Sequence, residues 1–161
     1  MPKLTLLSTN GGSIALDQLG SGRTVLYLYP LTGRPGVELP PGWDLIPGAR
    51  GCTPEACGFR DHLSELRSAG AERIYGLSSQ SSEYQHELVE RLHLPFELLS
   101  DERLALSAAV NIPTFTVESV RLYKRLTLVI DHGVIEHAFY PIFPPDAHAR
   151  EVVGWLKAHG E

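Results

Sequence analysis

The chain has 161 residues, 43% of them hydrophobic, which is enough for a full core and predicts one domain over residues 1–161. Its 14 basic residues against 19 acidic ones give a net charge of -5 with no basic cluster, which argues against a nucleic-acid partner. Residues 1–7 turn polar too soon for a signal peptide and no apolar run approaches the ~18 residues of a membrane span, so the chain reads as cytoplasmic, with no membrane partner.

In chain order, residues 4–8 and 13–16 flank Asn10-Gly11-Gly12, a turn signal that predicts an N-terminal β-hairpin. Thr24-Val25-Leu26-Tyr27-Leu28-Tyr29 carries apolar side chains on both parities, as in a strand buried on two faces. Tyr29, at its end, either lines a site or fills the core. Residues 31–51 are dominated by Gly and Pro and show no periodicity. Loops longer than about 12 to 15 residues in a compact domain are usually functional. Thr32, Arg34 and Arg50 are the candidates in this one for polar work.

Pro54 is tolerated only in the first turn of a helix, so a helix begins near 52–53 and Cys52 stands at its N-terminus. Unpaired N–H groups and the positive end of the dipole favour a thiolate there, which predicts a poised nucleophile. Ala56, Phe59, Leu63 and Leu66 follow Cys52 at helical spacing, so Cys52 heads the buried stripe. Cys57 is five residues on, rotated roughly 140° and about 8.7 Å away in an intact helix. Disulfides close Cα separations of about 4.4 to 6.8 Å, so joining the two cysteines requires the first turns to unwind. The spacing predicts a two-state element, helical when reduced and open when oxidised. In a reducing compartment such a pair points to redox chemistry rather than to a structural staple.

After Gly70 come a buried strand over 72–77, a serine-capped helix carrying Tyr84, Leu88 and Leu92 that stops before Pro95, and a brief strand over 96–99. Ser100-Asp101-Glu102 caps a short helix ended by Pro113. Residues 121–130 and 134–140 read as a hairpin turning at Asp131-His132-Gly133, and Pro144-Pro145-Asp146 opens a last helix. This order predicts a three-layer α/β fold with a central mixed sheet and Cys52 at the C-terminal end of its central strand, where open α/β sheets place their chemistry. His62 reads as a surface residue beside Asp61. His132 and His137 do not stand in zinc-ligand spacing with the cysteines, so no metal and no cofactor is expected.

Four pieces resemble, in order, the peroxiredoxin Q (bacterioferritin comigratory protein) group: Tyr29-Pro30, Gly51-Cys52-Thr53-Pro54-Glu55-Ala56-Cys57-Gly58-Phe59-Arg60-Asp61, Leu94-Pro95-Phe96-Glu97-Leu98-Leu99-Ser100-Asp101-Glu102, and Arg125-Leu126-Thr127-Leu128-Val129-Ile130-Asp131. The match covers most of the chain, and the two-cysteine helix followed by Phe-Arg-Asp is its most specific part. The resemblance implies a thioredoxin fold of the peroxiredoxin type and a thiol-dependent peroxidase. Cys52 would be peroxidatic, Cys57 resolving and Arg125 an active-site residue, with Pro30, Thr32, Arg50 and Gly51 as substrate-binding positions. It also implies a peroxide substrate, a thioredoxin-like reductant and a monomer or weak homodimer.

One departure stands out. The family carries a hydroxyl residue three positions before the peroxidatic cysteine and a proline seven before, where this chain has Ala49 and Leu45. Pro30 and Thr32 look like the start of that motif, separated from Cys52 by the Gly/Pro-rich segment, so Thr32 is the hydroxyl expected to return through the fold. Arg125 is the first candidate to hold the thiolate and the oxygen that gains charge, with Arg50 second. Two further readings stay open. One is a non-enzymatic redox sensor whose disulfide switches a binding surface. The other is a protein thiol-disulfide oxidoreductase, disfavoured because the spacing is not Cys-x-x-Cys.

Overall fold

A computed structural model describes residues 1–160. The expected hairpin is β1 (Thr5–Ser8) and β2 (Ser13–Ala15), followed by the central strand β3 (Arg23–Leu28). A single 3-10 turn, Trp43–Leu45, interrupts the long loop before α1 (Cys52–Asp61) and α2 (Leu63–Ser68). Then come β4 (Ala71–Ser78), α3 (Ser82–Leu92), β5 (Glu97–Ser100), α4 (Ala105–Val110), β6 (Thr114–Val117), β7 (Val120–Tyr123), β8 (Leu126–Asp131), β9 (Val134–Phe139) and α5 (His148–Ala158).

Seven strands form one mixed sheet in the order β2-β1-β5-β4-β3-β8-β9, with β3, β4 and β5 parallel and β8 antiparallel to β3. Alternation along β3 builds both cores. Val25, Tyr27 and Tyr29 join Phe59, Leu66, Leu88 and Leu156 on one face, while Leu26 and Leu28 join Leu77, Leu99, Leu106 and Leu128 on the other. The sheet is thus packed against α1, α2, α3 and α5 on the first face and against α4 on the second, which is why β3 reads as apolar at every position.

Two expectations needed correction. The strand expected over 121–130 is broken at Lys124 and Arg125. Its first part, β7, pairs back with β6 in a separate two-stranded sheet. The β6–β7 turn puts Glu118 and Ser119 at positive φ without a glycine, so no turn signal marks it. The helix expected to run from Cys52 to Gly70 breaks at His62. There φ is -104° and ψ is 13°, and the Nδ1–H of His62 donates to the Gly58 carbonyl at 3.0 Å. His62 therefore closes α1 as a cap.

Candidate active site

The site forms where the 31–51 loop enters α1. Gly51 sits at φ 106°, and a Cβ there would lie 2.8 Å from the Pro145 ring, so both its conformation and its surroundings require glycine. This bend delivers Cys52 to the first turn of α1, 4% exposed. Arg125, at the break between β7 and β8, points back into the fold and is 3% exposed. Its Nη2 lies 3.2 Å from Cys52 Sγ and also reaches the carbonyls of Gly48 (3.4 Å), Ala49 (3.1 Å) and Arg50 (3.2 Å). Its Nη1 donates to Glu55 Oε1 at 2.8 Å. The guanidinium thus ties together the end of the loop, the thiol and the first turn of α1.

Glu55 is fully buried, and its Oε2 has no partner among the described residues. Burial raises its carboxyl to about 7, against the pull of Arg125. The thiol expected to be poised is instead pushed up by burial. The Arg125 guanidinium and the Leu31 N–H pull it down, and the Glu55 carboxylate adds to the rise. The helix terminus and the cation are both present, and desolvation outweighs them. The buried charge on Arg125 is disfavoured by desolvation, yet Cys52 and Glu55 hold its pKa above the usual value.

Cys57 lies on the same helix, half-buried, and both thiols are free. Beyond it, Arg60 Nη1 donates to the Leu92 carbonyl at 2.7 Å, fastening the end of α1 to the end of α3. Gly58 faces the turn before α5, where a Cβ would lie 3.4 Å from the Asp146 carbonyl.

The other candidates separate. Arg50 contributes its carbonyl to Arg125 while its side chain is exposed. Pro30 is buried behind the loop and lines no pocket with Cys52. Thr32 does not return to the thiol. Its hydroxyl and N–H both donate to Gln80 Oε1, at 3.1 and 3.2 Å. Its neighbourhood is a different pocket, shared with Tyr84. Position 49 is a buried alanine, so no hydroxyl stands there either. Tyr29 is 1% exposed and fills the core.

Sequence reasoning missed Glu55, although a signal existed. A carboxylate three residues after Cys52, next to Ala56 on the buried stripe, needs a cationic partner, and Arg125 is the cation immediately before the buried strand Leu126-Thr127-Leu128-Val129-Ile130.

Cys52 opens onto a chamber of about 100 Å³ whose walls include Leu31, Leu39, Trp43 and Thr53. A larger groove of about 560 Å³ lies beside it, lined by Leu45, Ile46, Phe143 and Pro144. The two meet along Asp44, Arg50, Gly51 and Pro54.

The Redoxin family model matches residues 1–153. A putative peroxiredoxin bcp of Coxiella burnetii is 32% identical over 158 residues, covering 96% of this chain and 94% of that protein. Peroxiredoxin Bcp of Escherichia coli K12 is 30% identical over 162 residues, covering 98% and 93%. Among solved structures, peroxidoxin BcpB from Mycobacterium tuberculosis superposes with a TM-score of 0.78 at 26% identity, covering 98% of this chain and 94% of that one. Among the described residues no helix is long and apolar enough to cross a membrane.

Proposed function

The chain belongs to the Redoxin family, within its peroxiredoxin Q (Bcp) group, and from that premise we propose that Cys52 is peroxidatic, Cys57 resolving and Arg125 the residue that steadies the reacting atoms. As a member of that family it is a thiol-dependent peroxidase, and the reading as a non-enzymatic sensor falls away. One observation carries the assignment of roles: the Arg125 Nη2 lies 3.2 Å from the sulfur at the head of α1.

The Cys52 thiolate attacks one peroxide oxygen and the O–O bond breaks. The far oxygen leaves with the bonding pair, takes a proton and departs as water or an alcohol, and Cys52 becomes a sulfenic acid. Arg125, charged at any working pH, stabilises the sulfur before the step and the departing oxygen during it. The first turns of α1 then open. The Cys57 thiolate displaces hydroxide from the sulfenic sulfur, which leaves as water, and the disulfide awaits a thioredoxin-like dithiol. Hydrogen peroxide and organic hydroperoxides both fit this chemistry.

The test is stopped-flow oxidation of the reduced protein by hydrogen peroxide, with turnover by thioredoxin measured alongside. Oxidation lost in Cys52→Ser, and a sulfenic acid trapped in Cys57→Ser, are the expected results. Full oxidation in Cys52→Ser would overturn the role of Cys52. Disulfide formation within Cys57→Ser monomers is chemically impossible, so undiminished thioredoxin turnover in that variant would overturn the role of Cys57.

A further inference from the structure

Displacement at a peroxide oxygen asks two things of the groups around Cys52. The attacked oxygen carries a hydrogen that needs an acceptor, and the oxygen that leaves gains charge and needs a donor. Arg125 supplies charge, but its Nη2 already faces three carbonyls besides the sulfur, and a guanidinium has nothing to accept with. Neither hydroxyl position of the family motif helps. Position 49 is a buried alanine, and the Thr32 hydroxyl donates to Gln80.

Besides Cys52 itself, the side chains with polar atoms that line the chamber are Trp43, Asp44, Arg50 and Thr53. The Trp43 indole and the Arg50 guanidinium only donate, and the Asp44 carboxylate only accepts. Backbone N–H groups at the head of α1 also only donate. Thr53 alone does both, because a hydroxyl offers one hydrogen and two lone pairs. It follows Cys52 directly in the first turn of α1 and is half-buried. Among the described residues nothing hydrogen-bonds its hydroxyl, whereas Thr32 and Ser100 are engaged by Gln80 and Thr127 by His148.

We propose that the Thr53 hydroxyl is a catalytic group of the peroxide reaction, accepting the hydrogen of the attacked oxygen while donating its own to the oxygen that leaves. The S–O bond forms as the O–O bond breaks. The leaving oxygen takes the bonding pair and the Thr53 proton, and the proton of the attacked oxygen restores the hydroxyl. Cys52 is left as a sulfenate, which takes a proton from water to become the sulfenic acid. Sulfur is oxidised and the peroxide is reduced to water or an alcohol, with water the only other reactant. The inference rests on Cys52 being the attacking thiol.

The experiment measures the second-order rate of sulfenic acid formation by hydrogen peroxide in the full chain carrying Cys57→Ser, alone and with Thr53→Val, Thr53→Ser or Trp43→Phe added. The pH dependence of Cys52 alkylation by iodoacetamide is followed beside it. Thr53→Val keeps the branched shape without the hydroxyl, and the peroxide rate should fall about ten- to a hundredfold, the scale of one hydrogen bond to a charged group. Thr53→Ser should return it to near the parent rate. Alkylation involves no peroxide oxygen, so its rate and pH profile should be the same in Thr53→Val as in the parent. Thr53→Ala carries the same comparison if Thr53→Val does not fold. An unchanged peroxide rate without the hydroxyl overturns the proposal, as does a fall that Thr53→Ser does not rescue or that alkylation shares. A loss confined to Trp43→Phe assigns the leaving oxygen to the indole and overturns it too. If Cys52→Ser in the otherwise native chain then abolishes the reaction, only the role of the hydroxyl has failed. If the reaction persists, the reading of the thiol has failed as well.

Discussion

Two N–H hydrogens on the Arg125 Nη2 face four acceptors, the carbonyls of residues 48, 49 and 50 and the Cys52 sulfur, so they cannot serve all four at once. The guanidinium is therefore both a brace for the loop and a partner for the thiol, and a change of shape at this position removes both. Arg125→Lys keeps the charge but not the fork, and peroxide reduction should fall by about 10²- to 10³-fold, read as the second-order rate of sulfenic acid formation. Glu55 acts in the opposite sense. Its charge helps hold the Cys52 thiol up, so Glu55→Gln should move ionisation of Cys52 to lower pH while still offering an acceptor to Arg125. The pH dependence of Cys52 alkylation would show this, and an unchanged profile would rule it out. Both cysteines could be picked from the chain because two thiols around Pro54 at a helix start are conspicuous in one dimension, whereas Arg125 came from the resemblance to the peroxiredoxin Q group. Thr32 could not be placed, because its fate depends on Gln80, 48 residues away, which captures its hydroxyl.

At the scale of elements, α1 is a ten-residue cassette with a break at each end, Gly51 at positive φ before it and His62 capping Gly58 after it. Its first turns are the part to open, since Phe59 at its far end is buried in the main core with Leu66 of α2. In the proposed mechanism Cys52 and Cys57 can join only after the first turns open, so strengthening the helix should slow that step. Gly58→Ala gains about 1 kcal/mol of helix propensity and should slow disulfide closure about fivefold after sulfenic acid has formed, visible as the slower stopped-flow phase. An unaltered slow phase would mean that α1 is not the element that moves. The start of α1 was legible from Pro54, and β3 from its unbroken apolar run. The β6–β7 hairpin was not, because its turn contains neither Gly nor Asn and because Tyr123 and Arg125 look like one strand until Arg125 turns inward.

For the whole molecule, two buried groups tie stability to pH with opposite signs. Glu55 is raised to about 7 when folded, so its contribution is complete below about 4.3, its unfolded value, and is lost as pH rises through 7. His148 is held between Thr127 and Glu151, and burial lowers its pKa. Its contribution is present above about 6.5 and is lost as pH falls below that. Glu55→Gln removes only the first. Its stability relative to the wild type should therefore improve between pH 5 and pH 8 by on the order of 2 to 3 kcal/mol, read from urea unfolding; parallel curves would exclude it. The layered arrangement was readable from the order of strands and helices, since each buries a face that the next must cover. The pH behaviour was not, because it depends on desolvation, which only the folded chain imposes. The anchoring of α1 has one more consequence. Arg60 is tied to the Leu92 carbonyl and Phe59 beside it is buried, so the far end of α1 stays helical when the first turns open. A trypsin-like protease would therefore spare the 60–61 bond in the reduced and the oxidised protein alike, and an encounter with peroxide leaves that part of the chain no shorter-lived among proteases.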